Sequence, residues 1–76
     1  MKAKSLRYIV TGPGIQGGEE PSYADPGPAV SRTLTAAARK GTAEGATYYA
    51  RDSITHEIIG HSERLALGRV VTRRTA

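Results

Sequence analysis

At 76 residues and 8.1 kDa, the chain has room for one small domain, near the size at which a lone hydrophobic core only just suffices. Its 11 basic and 7 acidic residues leave a net charge of +4, and the lack of cysteine excludes disulfide staples, zinc ribbons, Fe–S sites and thiol catalysis. Leu, Ile and Val together supply 13 residues, Phe and Trp none, and a further 11 are Ala, so the core must be thin. Sparse bulky apolar residues indicate disorder only when joined to high net charge, and +4 is mild, so a folded domain is expected. A core this small also favours help from a partner or from self-association.

No apolar run is long enough for a transmembrane span, and no apolar h-region follows the basic stretch from Met1 to Arg7. The expectation is a cytoplasmic protein with no membrane partner. The excess of Arg over Lys, with abundant Ala and Gly, fits a GC-rich bacterial or phage genome.

Leu6–Thr11, rich in β-branched and aromatic residues, predicts a first strand with Leu6, Tyr8 and Val10 on one side of the pleat. Gly12–Gly27 holds five Gly and three Pro in sixteen residues, which predicts a long loop without regular structure, mobile or tied to a partner. Pro28 then opens a helix. Val30, Leu34, Ala37 and Ala38 form its buried stripe, Arg39 and Lys40 lie in its last turn, and Gly41 lies beyond it. Such an Ala-rich stripe brings the helix unusually close to whatever it covers.

Beyond Glu44-Gly45, the segments Ala46–Asp52, Glu57–Glu63 and Arg69–Arg74 read as three strands of a meander. Ser53–His56 and Leu65–Gly68 fit type I turns closed by a left-handed residue, His56 in the first and Gly68 in the second. With Ser53 opposite Glu57, the pairs Arg51/Ile59, Tyr49/His61 and Thr47/Glu63 share one face, and Asp52/Ile58, Ala50/Gly60 and Tyr48/Ser62 share the other. With Leu65 opposite Arg69, Glu63/Val71 and His61/Arg73 join the first face, while Ser62/Thr72 and Arg64/Val70 join the second. The small residues Ala50 and Gly60 assign the second face to the helix. The predicted fold is therefore α+β with two layers: a four-stranded, mostly antiparallel sheet in the order β-α-β-β-β, with one helix on one face. The position of the first strand in the sheet is left open by the sequence.

One helix covers only one side of a sheet, so Tyr49, Arg51, Ile59, His61, Val71 and Arg73 are expected together on an outer face. Aromatic and Arg side chains of this kind are enriched at protein interfaces and on nucleic-acid stacking platforms. The leading expectation is a noncatalytic interaction protein that binds a protein partner or itself through this face or a free strand edge. The alternative is a basic nucleic-acid-binding module using the same Arg and Tyr residues. Arg69, Arg73 and Arg74, joined by Lys2, Lys4 and Arg7, would serve it if the first and last strands lie close.

Three other motifs carry less chemistry. In His56–His61 (HEIIGH) the two imidazoles stand five apart in strand and turn, not four apart on a helix, so no zinc site is expected. Gly12–Gly18 follows a strand but lacks both a Lys-Ser/Thr ending and a helix directly after it, so it is not a phosphate loop and no cofactor is expected. No Ser, Thr or Tyr has a recognisable base and orienting group, and no catalytic activity is expected.

Overall fold

The computed structural model describes residues 5–15 and 20–75. Its elements are β1 (Tyr8–Thr11), α1 (Pro26–Ala38), β2 (Thr47–Asp52), β3 (Ile58–Arg64), a short 3-10 turn (Ala66–Gly68) and β4 (Val70–Arg74). The four strands form one antiparallel sheet in the order β1-β2-β3-β4, and α1 packs across one face. The predicted α+β architecture is present. The open question of the first strand is also answered: β1 lies at the sheet edge, antiparallel to β2.

Helix α1 begins at Pro26, two residues before the predicted start. Asp25 is extended (φ −120°, ψ 149°), as the residue before a proline prefers, and Pro26 enters with its φ already helical. The buried positions are Ala29, Val30, Thr33, Ala36 and Ala37, whereas Leu34 is 44% exposed and Ala38 is also at the surface. Apolarity favours Leu34 for the core, but the sheet beneath presents Ala50, Gly60 and Ser62, and only the face with the smallest side chains fits that close. Thr33 is accommodated because its hydroxyl is fully used. It donates to the Val30 carbonyl (2.6 Å), which leaves it to accept from Ser62 Oγ (2.8 Å), and Ser62 in turn accepts from Thr72 Oγ1 (2.7 Å). One line of protons thus runs from β4 through β3 into the helix, so burying these hydroxyls leaves none of the three unsatisfied.

Arg39 and Lys40 lie outside the last helical turn, because α1 ends at Ala38 and Arg39 leaves the helical region at ψ 137°. The cation at the helix C-terminus is Arg64 of β3, whose Nη1 donates to the carbonyls of Ala37 (2.9 Å) and Arg39 (3.3 Å). Thr42 Oγ1 adds a bond to the Ala36 carbonyl at 2.9 Å. Carbonyls without partners in the helix are thereby satisfied from outside it.

All four predicted β3–β4 pairs are present, and Gly60 also pairs with Arg74. That hairpin turn holds both Leu67 (φ 62°) and Gly68 (φ 75°) in the left-handed region, where only Gly68 was expected. Between β2 and β3 the predicted pairs Thr47/Glu63, Tyr48/Ser62, Tyr49/His61 and Ala50/Gly60 hold, but Arg51 faces Ile58 across a bulge. Two offsets cancel here. The turn closes one residue earlier than expected, with Asp52 N donating to Glu57 O and His56 N to Asp52 O, and the bulge at Ile59 then restores the register.

The cause is Asp52, whose Oδ1 accepts from the amides of Ile54 (2.8 Å) and Thr55 (3.4 Å) and so makes the turn begin at residue 52. Arg7 clamps the same carboxylate through Nε (3.0 Å to each oxygen) and Nη2 (2.7 Å). The Arg7 guanidinium, helped by the two turn amides, holds the Asp52 carboxyl well below the usual carboxylate range. Because the folded-state value is depressed, the stabilisation is present above the unfolded value of about 4 and fades as pH falls below it. Thermal melting of the wild type should therefore lose midpoint between about pH 4 and pH 2, and Asp52→Asn should melt lower at neutral pH and show a shallower acid decline. An unchanged acid limb in that variant would contradict the role given to Asp52.

His56 occupies the left-handed region (φ 66°) as expected and is exposed. Glycine adopts that conformation without the Cβ penalty, though it adds freedom to the unfolded chain, so His56→Gly should be neutral or stabilise by about 0.5 kcal/mol. Chemical denaturation measures this, and a clear loss of stability would contradict the turn.

Candidate interaction surface

The helix covers the sheet face built from Tyr8, Val10, Tyr48, Ala50, Gly60, Ser62 and Val70, and two buried clusters form there around Val30 and around Ala36, Ala37 and Tyr48. Among the described residues no helix crosses the opposite face, although Ile9, on its β1 side, is only 5% exposed. On it the register sets Thr11 beside Tyr49, Tyr49 beside His61 and His61 beside Arg73, with Glu63 beside Val71 in the next row. The rings of Tyr49 and His61 meet at 5.9 Å between centroids, tilted by 35°. Tyr49 and Val71 are each 39% exposed and Arg73 is exposed, so an aromatic pair, an apolar residue and a cation share one open surface.

Five of the six residues expected on this face are there: Tyr49, Arg51, His61, Val71 and Arg73. Ile59 is not. The bulge turns it inward, where it is 6% exposed and packs with Val10, Ala29, Val30 and Ala50, and Ile58 takes the outward position. The residues missed by pattern reading are Thr11 and Ile9, brought to this face by the β1–β2 register, and Ile58. Arg51 lies between Ile9 and Ile58, and its Nε is buried without a hydrogen-bond partner among the described residues. An Asp at the start of the β2–β3 turn is the one signal that could have foretold the shift, since Asx turns fix where a hairpin closes.

Arg7 does not meet Arg69, Arg73 and Arg74. β1 and β4 lie at opposite edges with two strands between them, about 14 Å apart at the usual strand spacing. Arg7 is committed to Asp52, and Lys2 and Lys4 lie outside the described residues. His56 and His61 are likewise separated, one in the turn and the other on the outer face.

The described ends of the Gly/Pro-rich segment are pinned to the domain. Gly12 lies against the ring of Tyr48, whose hydroxyl donates to the Pro13 carbonyl at 2.9 Å, and Ser22 and Tyr23 hydrogen-bond along β1. Residues 16–19 of the expected loop lie outside the described residues. An open depression of about 650 Å³ lies between Pro13, Ile15, Ala36, Lys40, Thr42 and Tyr48. It sits at the C-terminal end of α1, where carbonyl dipoles disfavour an anion. Among the described residues no helix is long and apolar enough to cross a membrane. Comparison with protein-family models, curated proteins and solved structures finds no match.

Proposed function

We propose that this chain is a small noncatalytic interaction protein that binds a protein partner, or a second copy of itself, through the outer face of its sheet and the adjoining strand edge. The observation that carries the reading is this face, crossed by no helix among the described residues: Tyr49 in tilted contact with His61, with Val71, Arg51 and Arg73 around them. Tyr and Arg are the side chains most enriched at binding hot spots, and an aromatic already held by a cross-strand neighbour loses little rotamer freedom on binding.

A nucleic-acid-binding module is the second reading, favoured by the Tyr49–His61 pair with Arg51 and Arg73 beside it. Against it, Glu63 shares this face, and Arg7 is held at the opposite sheet edge from Arg73 and Arg74. Affinity capture from the native cell, repeated across a salt series, separates the two. The protein-binding reading expects a nuclease-resistant partner retained as salt rises, because an apolar interface releases few counterions. A nuclease-sensitive partner lost steeply with salt would overturn it in favour of nucleic acid.

A further inference from the structure

The two edges of the sheet are treated differently. The edge of β1 is covered at Tyr8 by the chain itself, since Tyr8 N donates to Tyr23 O (2.8 Å) and the Tyr8 carbonyl accepts from Ser22 N (2.9 Å) and Tyr23 N (3.3 Å). Among the described residues the edge of β4 has no such cover. Which of its backbone groups face outward follows from the ladder: Leu65 N bonds Arg69 O, and Thr75 N bonds Ile59 O, so the odd-numbered residues of β4 turn their N–H and C=O toward β3. Arg64 gives the same phase, since its N–H and C=O bond Ala46 and Gly45 on the β2 side. Val70 and Thr72 therefore present their amides and carbonyls to the outside, and among the described residues no backbone group meets them. An uncovered row of this kind is a template for another strand.

From this edge we infer that the occupant is a second copy of this chain, joined β4 to β4 in antiparallel fashion about a two-fold axis at Thr72, which makes one continuous eight-stranded sheet. The inference rests on the reading of the chain as a protein-binding module and names its partner. Strand length and charge together select the register. Centred on Thr72, the pairing matches all five residues of β4, with Thr72 exchanging two hydrogen bonds with its copy, Val70 opposite Arg74 and Val71 opposite Arg73. No Arg faces an Arg. Centring on Val71 would set Arg69 against Arg73, and centring on Arg73 would set that cation against itself; like charges directly opposite destabilise a pair. In the Thr72 register, Arg73 of one copy also falls in the same transverse row as Val71 and Glu63 of the other, about 10 Å from the Glu63 strand and of opposite charge. Both helices lie on one side, and the two outer faces merge into one surface.

The test is the mass of the wild-type chain in solution by sedimentation equilibrium up to millimolar concentration, with four variants. The proposal expects twice the 8.1 kDa chain mass. Thr72→Pro removes an amide that points away from β3, so the monomer keeps its ladder, while two intermolecular bonds are lost and self-association weakens about 25-fold. Thr72→Val keeps the amide, removes the hydroxyl and should still dimerise. Because the native chain has no cysteine, Thr72→Cys should oxidise to a covalent dimer and Val71→Cys should not. A wild-type chain that stays at single-chain mass overturns the proposal, and faster linkage through Val71→Cys overturns the register. A monomer that still captures another protein through Tyr49 and Arg73 leaves the interaction reading standing without the dimer. A Thr72-linked dimer whose outer face captures nothing does the reverse.

Discussion

Replacing Gly12 with alanine should cost about 3 kcal/mol, at the upper end of what overpacking a core costs. A Cβ at that position would stand 2.2 Å from Cδ1 of Tyr48 and within 2.9 Å of two further ring carbons, and the backbone there has φ 156°. The ring cannot step aside easily. Tyr48 is 5% exposed, packs on Ala36 and Ala37, and is tied by its hydroxyl to Pro13. A domain of this length has a total stability of about 4 to 11 kcal/mol, so the variant should melt far lower than the wild type. Gly14→Ala is the matched control: its φ of 81° strains any side chain, but nothing lies within 4 Å, so the loss should be about 1 kcal/mol. Equal losses in the two would show that conformation, not contact with Tyr48, governs Gly12.

Gly60→Ala should be the other large effect, about 2 kcal/mol. Its Cβ would meet Val30 Cγ2 at 2.8 Å and the Arg73 carbonyl at 3.1 Å, so the helix is blocked on one side and the neighbouring backbone on the other. The close approach of α1 to the sheet depends on this residue and on Ala50. Trimming the opposing side chain should relieve part of the clash: Gly60→Ala with Val30→Ala should be less destabilised than the sum of the two single changes, read by chemical denaturation as a double-mutant cycle. Strict additivity would mean that Val30 and Gly60 do not touch.

These contacts mark what could be read from the sequence. The β3–β4 register followed from a short turn ending in Gly68 and most of the β2–β3 pairs from the Ser53–His56 turn, whose one-residue offset the bulge cancels, while the small pair Ala50 and Gly60 marked the helix side. The helix was visible from Pro28, its apolar spacing and its Gly41 stop, yet its buried side was not, since Thr33 replaces Leu34 in the core only because Ser62, 29 residues away, completes its hydroxyl network. Arg7 and Asp52 are 45 residues apart, and their ion pair, with the turn amides, decides where the hairpin closes and hence that Ile59 points inward. Pattern spacing carries no trace of such long-range contacts. Five outer-face residues were legible because alternation from a fixed register is local, and the one that failed lies at the bulge.

On the function proposed above, Tyr49 and Arg73 belong to a binding surface and not to the core. The most direct measurement is the double variant Tyr49→Ala with Arg73→Ala, assayed side by side for binding and for thermal unfolding. Neither side chain packs against α1, so partner capture through this face should be lost while the melting midpoint stays within a few degrees of the wild type. Unfolding together with loss of binding would mean that Tyr49 supports the fold, and binding that survives both changes would mean that the surface lies elsewhere on the molecule.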